Sequence, residues 1–137
     1  NDKFNSRQLG VMAGGGAWVM IQEAAGAPVI SRHALTTDLT SIEVRESSIT
    51  KIVDFVAKFL RRSLLNFIGR FNITQGFLDT LGQVIEGLGG FLIESGVLLG
   101  FNLNQIQQDV DAPDTVIVDV SLDVPYPCNF IRLTLVI

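Results

Sequence analysis

The sequence predicts a small α+β domain, and three patterns carry that prediction. Apolar residues recur at every third or fourth position over residues 47–68, apolar and polar residues alternate over 115–124, and clusters of Gly, Pro, Asp and Thr punctuate the stretches between them. Helix and strand signals thus fall in separate parts of the chain. That arrangement suits a small mixed or antiparallel sheet backed by two main helices, with an extended C-terminal strand arm.

Residues 1–16 sustain no period and close on Gly14-Gly15-Gly16, which reads as a lead-in and a flexible turn. Residues 17–22 form a continuous apolar run suited to a buried strand, and the turn-prone 24–28 stretch follows. Residues 29–35 make a second strand that can return antiparallel to the first. Thr36, Thr37 and Asp38 then offer side-chain oxygens that compete with backbone pairing, so a turn is expected there.

The plainest helix covers residues 47–68. Ile49, Ile52, Val53, Val56, Phe59, Leu60, Leu64, Phe67 and Ile68 form one stripe, while Lys51, Asp54, Lys58, Arg61 and Arg62 fill the other side. Gly69 is placed to end it, because glycine enters the left-handed region without a Cβ clash. Arg61, Arg62 and Arg70 complement the negative end of the helix dipole. Asn72 or Thr74 caps a second helix, whose inward stripe is Phe77, Leu78, Leu81, Val84, Ile85 and Leu88. Gly82, Gly87, Gly89 and Gly90 leave its end open. Residues 101–110 are expected to be a strand, 112–114 a turn, and 115–124 a half-buried strand with Val116, Val118, Val120 and Leu122 on one face. Pro125 and Pro127 cannot donate to a ladder, so they mark a hinge between a domain at 1–124 and an arm at 125–137.

At 137 residues the chain holds one domain's worth of core. It is 47% apolar and 18% charged, with a mean hydropathy of +0.39, so some apolar surface is expected to lie between subunits. The net charge of −4 opposes nucleic acid as a partner, and the one basic cluster, Lys58, Arg61, Arg62 and Arg70, has the spacing of a solvated helix face. Residues 84–101 are apolar enough to raise a membrane span. Glu86, Glu94 and five glycines argue instead for a buried helix with a loop, and no membrane insertion is expected. The start at Asn1, with no initiator Met and no leader pattern, reads as a fragment or processed product.

Most site chemistry lacks its residues. With His33 as the single histidine and Cys128 as the single cysteine, there is no zinc set and no intrachain disulfide. A hydrolytic triad would have to be built on His33 with Asp38 or another carboxylate, and no G-x-S-x-G elbow accompanies them. Asp109, Asp111 and Asp114 lack the glycine and glutamate of a calcium loop, and Gly14-Gly15-Gly16 lacks the Lys-Ser/Thr of a P-loop. No catalytic residue, cofactor or metal is expected.

Several stretches, taken in order, resemble the C-terminal domain of contractile tail sheath proteins of myovirus-type phages, prophages and related injection systems. They are residues 32–38 (RHALTTD), 44–46 (VRE), 66–72 (NFIGRFN), and 123–137 (DVPYPCNFIRLTLVI). The resemblance covers most of 28–137, and no single motif in it is diagnostic alone. It implies a subunit that stacks with itself as hexameric rings around an inner tail tube, between a baseplate and a tail terminator, in the virion tail. It also implies that the terminal arm donates a strand to a neighbouring subunit. Phe130, Ile131, Arg132, Leu133, Thr134, Leu135, Val136 and Ile137 are then the inter-subunit strand, Pro125 and Pro127 its hinge, and Lys58, Arg61 and Arg62 candidates for facing the tube. The alternatives are another oligomeric phage module, of baseplate or capsid, and a small enzyme using His33.

Overall fold

The computed structural model describes residues 4–22, 24–129 and 131–136. They fall into two units, Asn1–Lys51 with Tyr126–Ile137 and Ile52–Pro125, so the chain leaves the first unit within a helix and re-enters it after Pro125. The class is α+β, as the sequence predicts. In place of one sheet, the described residues form two separate antiparallel ribbons of two strands each.

The first unit begins with a helix that the sequence analysis does not anticipate. Helix α1 (Ser6–Gly14) is started by a capping box, in which the Asn5 side chain accepts from the Gln8 backbone and Gln8 accepts in turn from the Asn5 backbone, each at 2.9 Å. No residue of α1 is buried, so the hydrophobic period that betrays most helices is missing. Strands β1 (Met20–Ile21) and β2 (Ile30–Ser31) pair antiparallel and are much shorter than the expected runs. Trp18 extends their contact by donating its indole N–H to Ser31, and Lys51 Nζ lies 5.8 Å from the Trp18 ring centre. A four-residue helix, α2 (Ile42–Arg45), follows.

Helix α3 (Ser47–Leu64) carries the strongest period in the chain, and its cations Arg61 and Arg62 fall in the last turn. A single 3-10 turn (Leu65–Phe67) then leads to Gly69, whose φ of 70° admits the chain reversal. Thr74, one of the two capping candidates, takes the Phe77 amide at 3.2 Å and opens α4 (Gln75–Glu94). The helix runs unbroken through Gly82, Gly87, Gly89 and Gly90, and packing is the reason. Gly82 faces Leu103 and Gly89 faces Phe101, so the absence of a Cβ lets the helix approach the strand beside it.

That strand is β3 (Gly100–Gln108), paired antiparallel with β4 (Val116–Asp123). Between Leu103 and Gln105 the register slips by one residue, leaving Asn104 as a bulge whose side chain bonds Ser121 at 2.7 Å. The bulge explains why the inward residues of β3 are Phe101, Leu103 and then Ile106, whereas β4 alternates without a break. Val56, Leu92 and Leu98 form the centre of this unit, and Ile52, Phe59, Leu60, Val97, Phe101, Leu122 and Val124 pack around them. Removing each of the three central side chains from water contributes about 1.5–3 kcal/mol, and the partly buried ones around them contribute less.

Candidate functional site

The residues expected to carry function lie in both units. Lys58, Arg61 and Arg62 are exposed along α3. Pro125 and Pro127 are half-buried in a stretch without regular structure, and Ile131 to Val136 has no strand partner among the described residues. Phe130 and Ile137, the ends of the expected strand, lie outside the described residues. Within the described segment Ile131, Leu133, Leu135 and Val136 are between 78% and 92% exposed.

Within the first unit, the root of this segment is fastened by polar contacts. An antiparallel bridge between Leu35 and Glu46 holds residues 34–36 against 45–47, with Thr36 N to Arg45 O at 2.8 Å and Ser47 N to Ala34 O at 3.1 Å. The bridge brings His33 to Glu46, a side chain only 2% exposed at the entry to α3. His33 Nε2 lies 3.0 Å from each Glu46 oxygen, so it carries the hydrogen that it donates to the carboxylate. Arg45 adds bonds to Oε1 from Nε at 3.3 Å and Nη2 at 3.2 Å, and the Asn129 side chain bonds the same carboxylate. A second tie sits nearby, where the Tyr126 hydroxyl donates to Glu43 Oε1 at 2.8 Å.

Burial raises the Glu46 pKa, but hydrogen bonds from His33 and Asn129, the His33 charge and the Arg45 bond outweigh it and hold the carboxyl below its usual range. The same carboxylate lies at the N-terminus of α3, where the helix dipole favours negative charge. Glu43 is likewise lowered, chiefly by the Ser41 hydroxyl, with Tyr126 contributing. Asp38, the sequence candidate for pairing with His33, spends its carboxylate on the Thr40 amide at 3.0 Å and the Thr40 hydroxyl at 2.8 Å. The partner of His33 is therefore Glu46. Its signal in the sequence is weak, a glutamate thirteen positions from a histidine between two helices, with nothing to announce burial.

Above this knot opens a cleft of about 480 Å³, lined by Arg32, His33, Arg45, Leu35, Leu39 and Asn129 among others. Arg45 is paired with the buried Glu46 carboxylate, and Arg32 lines the same cleft, so the lining carries a cation that suits an acidic group. No group of three His, Cys, Asp or Glu among the described residues could hold a metal ion, and no helix among them is long and apolar enough to cross a membrane. No protein-family model matches the chain, and no curated protein matches it.

Proposed function

We propose that the chain is a structural subunit of a contractile tail sheath, a self-assembling part that stacks as rings around an inner tube and shortens to drive that tube through an envelope. The observation that carries this reading is the terminal segment. Four large apolar side chains, Ile131, Leu133, Leu135 and Val136, stand in water on a stretch whose root is tied down at Tyr126 and Asn129. Burying such side chains is worth about 1.5–3 kcal/mol each, so a neighbour that covers them gains stability no soluble monomer can. Main-chain pairing to a neighbour's strand satisfies the backbone at the same time.

The ties at the root support the same reading, because a strand handed to another copy has to leave its own domain in a fixed direction. Contraction needs no active site: a lattice with two packings releases the difference once one of them is favoured. Lys58, Arg61 and Arg62, exposed on α3, suit weak and salt-sensitive contacts with a tube that must later slide.

The test is removal of residues 131–137 from the full-length protein, leaving Tyr126 and Asn129 in place. Electron microscopy is expected to find striated hollow tubes from the intact protein and soluble, folded, unassembled subunits from the truncation. Tubes forming from the truncated protein would end the strand-donation proposal. Discrete dimers or trimers from the intact protein would favour a baseplate or capsid module.

A further inference from the structure

The second unit ends in a feature that its own core does not use. The turn joining β3 to β4 carries Asp109, Asp111 and Asp114 around Val110, which is 90% exposed. This tip is held in one shape by hydrogen bonds, Asp109 N to Thr115 O, Thr115 N to Ala112 O and Asp111 N to Asp109 Oδ1, each at 2.9 Å, and by Gln108 Nε2 on the Pro113 carbonyl. It is an apolar knob ringed by carboxylates and ordered before any partner arrives. The cleft over the Glu46 knot has the opposite character. Leu35 and Leu39 give it an apolar wall, Arg32 and Arg45 both line it while Arg45 alone pairs with the buried carboxylate of Glu46, and its volume of about 480 Å³ is ample for a valine and an aspartate side chain.

We infer that the β3–β4 tip of one copy docks into the Arg32 and Arg45 cleft of a second copy, with Val110 against Leu35 and Leu39 and Asp111 facing Arg32. The proposal rests on the self-assembly proposed above and names one of its contacts. Because two different surfaces meet, passing the contact on from copy to copy yields a closed ring or an open helix, whereas two copies that exchange tips reciprocally close as a two-fold dimer. Charges at such a rim choose the partner and its register more than they add affinity.

Charge reversal tests this without touching the knot or the tip's own hydrogen bonds. Asp111→Arg places a cation opposite Arg32, and Arg32→Glu places an anion opposite Asp111. Each variant alone is expected to weaken self-association by about tenfold or more in sedimentation velocity over a concentration series, given the cost of like charges in contact. Circular dichroism of each is expected to match the parent. In an equimolar mixture, alternating copies are complementary at every junction. The introduced arginine of one variant then meets the introduced glutamate of the other, and Asp111 meets Arg32, so mixing is expected to restore association. Unchanged association of either single variant, or a mixture that stays as weak as its components, overturns the contact. A parent chain that remains monomeric at every concentration overturns it as well. Loss of assembly on removing 131–137 speaks only to the terminal strand, so the two proposals fail separately.

Discussion

The two units are held together by different kinds of force. In Ile52–Pro125 the buried centre is wholly apolar, with Val56, Leu92 and Leu98 each at most 2% exposed. In the first unit Val19, Leu35 and Ile49 are buried as well, but the least exposed large side chain among the described residues is the carboxylate of Glu46. Apolar packing is indifferent to direction and needs only shape and volume. A buried carboxylate demands donors at set positions, and those donors fix the segments that carry them. The apolar unit is therefore suited to be a scaffold, and the polar one to aim the terminal segment.

The largest effect belongs to the scaffold. Leu92→Ala removes a side chain from the centre of the apolar cluster, and incomplete collapse of the hole adds to the lost transfer energy, for a cost of about 3 kcal/mol. Chemical denaturation gives the total, and amide exchange across α4 is expected to quicken with it. A loss below about 1 kcal/mol would mean that the centre is loosely packed and the contrast overstated.

Glu46→Gln comes next. The amide keeps the shape and loses the charge, leaving His33 and Arg45 facing a neutral group. Arg45 is 34% exposed, so its share is screened, and a cost of about 2 kcal/mol is expected in place of the larger figure for a fully buried pair. The acid side sharpens the comparison. Glu46 has a folded pKa below the ordinary glutamate value of 4.5, so the unfolded chain binds more protons as pH falls past that value. Its contribution is therefore fully present above that ordinary value and is lost as pH drops through the depressed folded one. Asp38 and Glu43 shift in the same direction, are exposed, and remain in both proteins. Stability measured against pH is expected to fall less steeply on the acid side for Glu46→Gln than for the parent. Parallel curves would remove Glu46 from the acid response.

This contrast also governs what can be read from residues alone. Helices α3 and α4 and strand β4 announce themselves, because burial on one face imposes a period that the sequence must keep. Helix α1 buries nothing and is set by a cap, so the glycines after it are the louder signal. In β3 the bulge at Asn104 breaks the alternation and blurs the ends of the expected strand. The site is legible only in part. His33 stands out as the lone imidazole, but Glu46 becomes visible only when the bridge from Leu35 brings distant segments together. Asp38, nearer in sequence, is consumed by its own turn. Proximity along the chain favours the wrong carboxylate, and long-range pairing chooses the right one.

The glycines of α4 give the smallest and most local test of scaffold packing. In an exposed helix interior, Gly to Ala gains about 1 kcal/mol, since alanine gives up less backbone freedom. Gly87 meets that condition, because a Cβ there has nothing within 4 Å, and Gly87→Ala is expected to stabilise by about 0.5–1 kcal/mol. Gly89 lies on the buried side, where a Cβ would run into the Phe101 ring. Overpacking of that kind costs about 1–3 kcal/mol, so Gly89→Ala is expected to be destabilising by about 1 kcal/mol after the helical gain is subtracted. The sign of the pair is the measurement, read from thermal melts of the two variants beside the parent. If both substitutions stabilise, Phe101 yields without cost and the close approach of α4 to β3 is not a tight fit. Opposite signs mean that the glycine at 89 is required by the strand it faces, whereas the one at 87 has no such neighbour to satisfy.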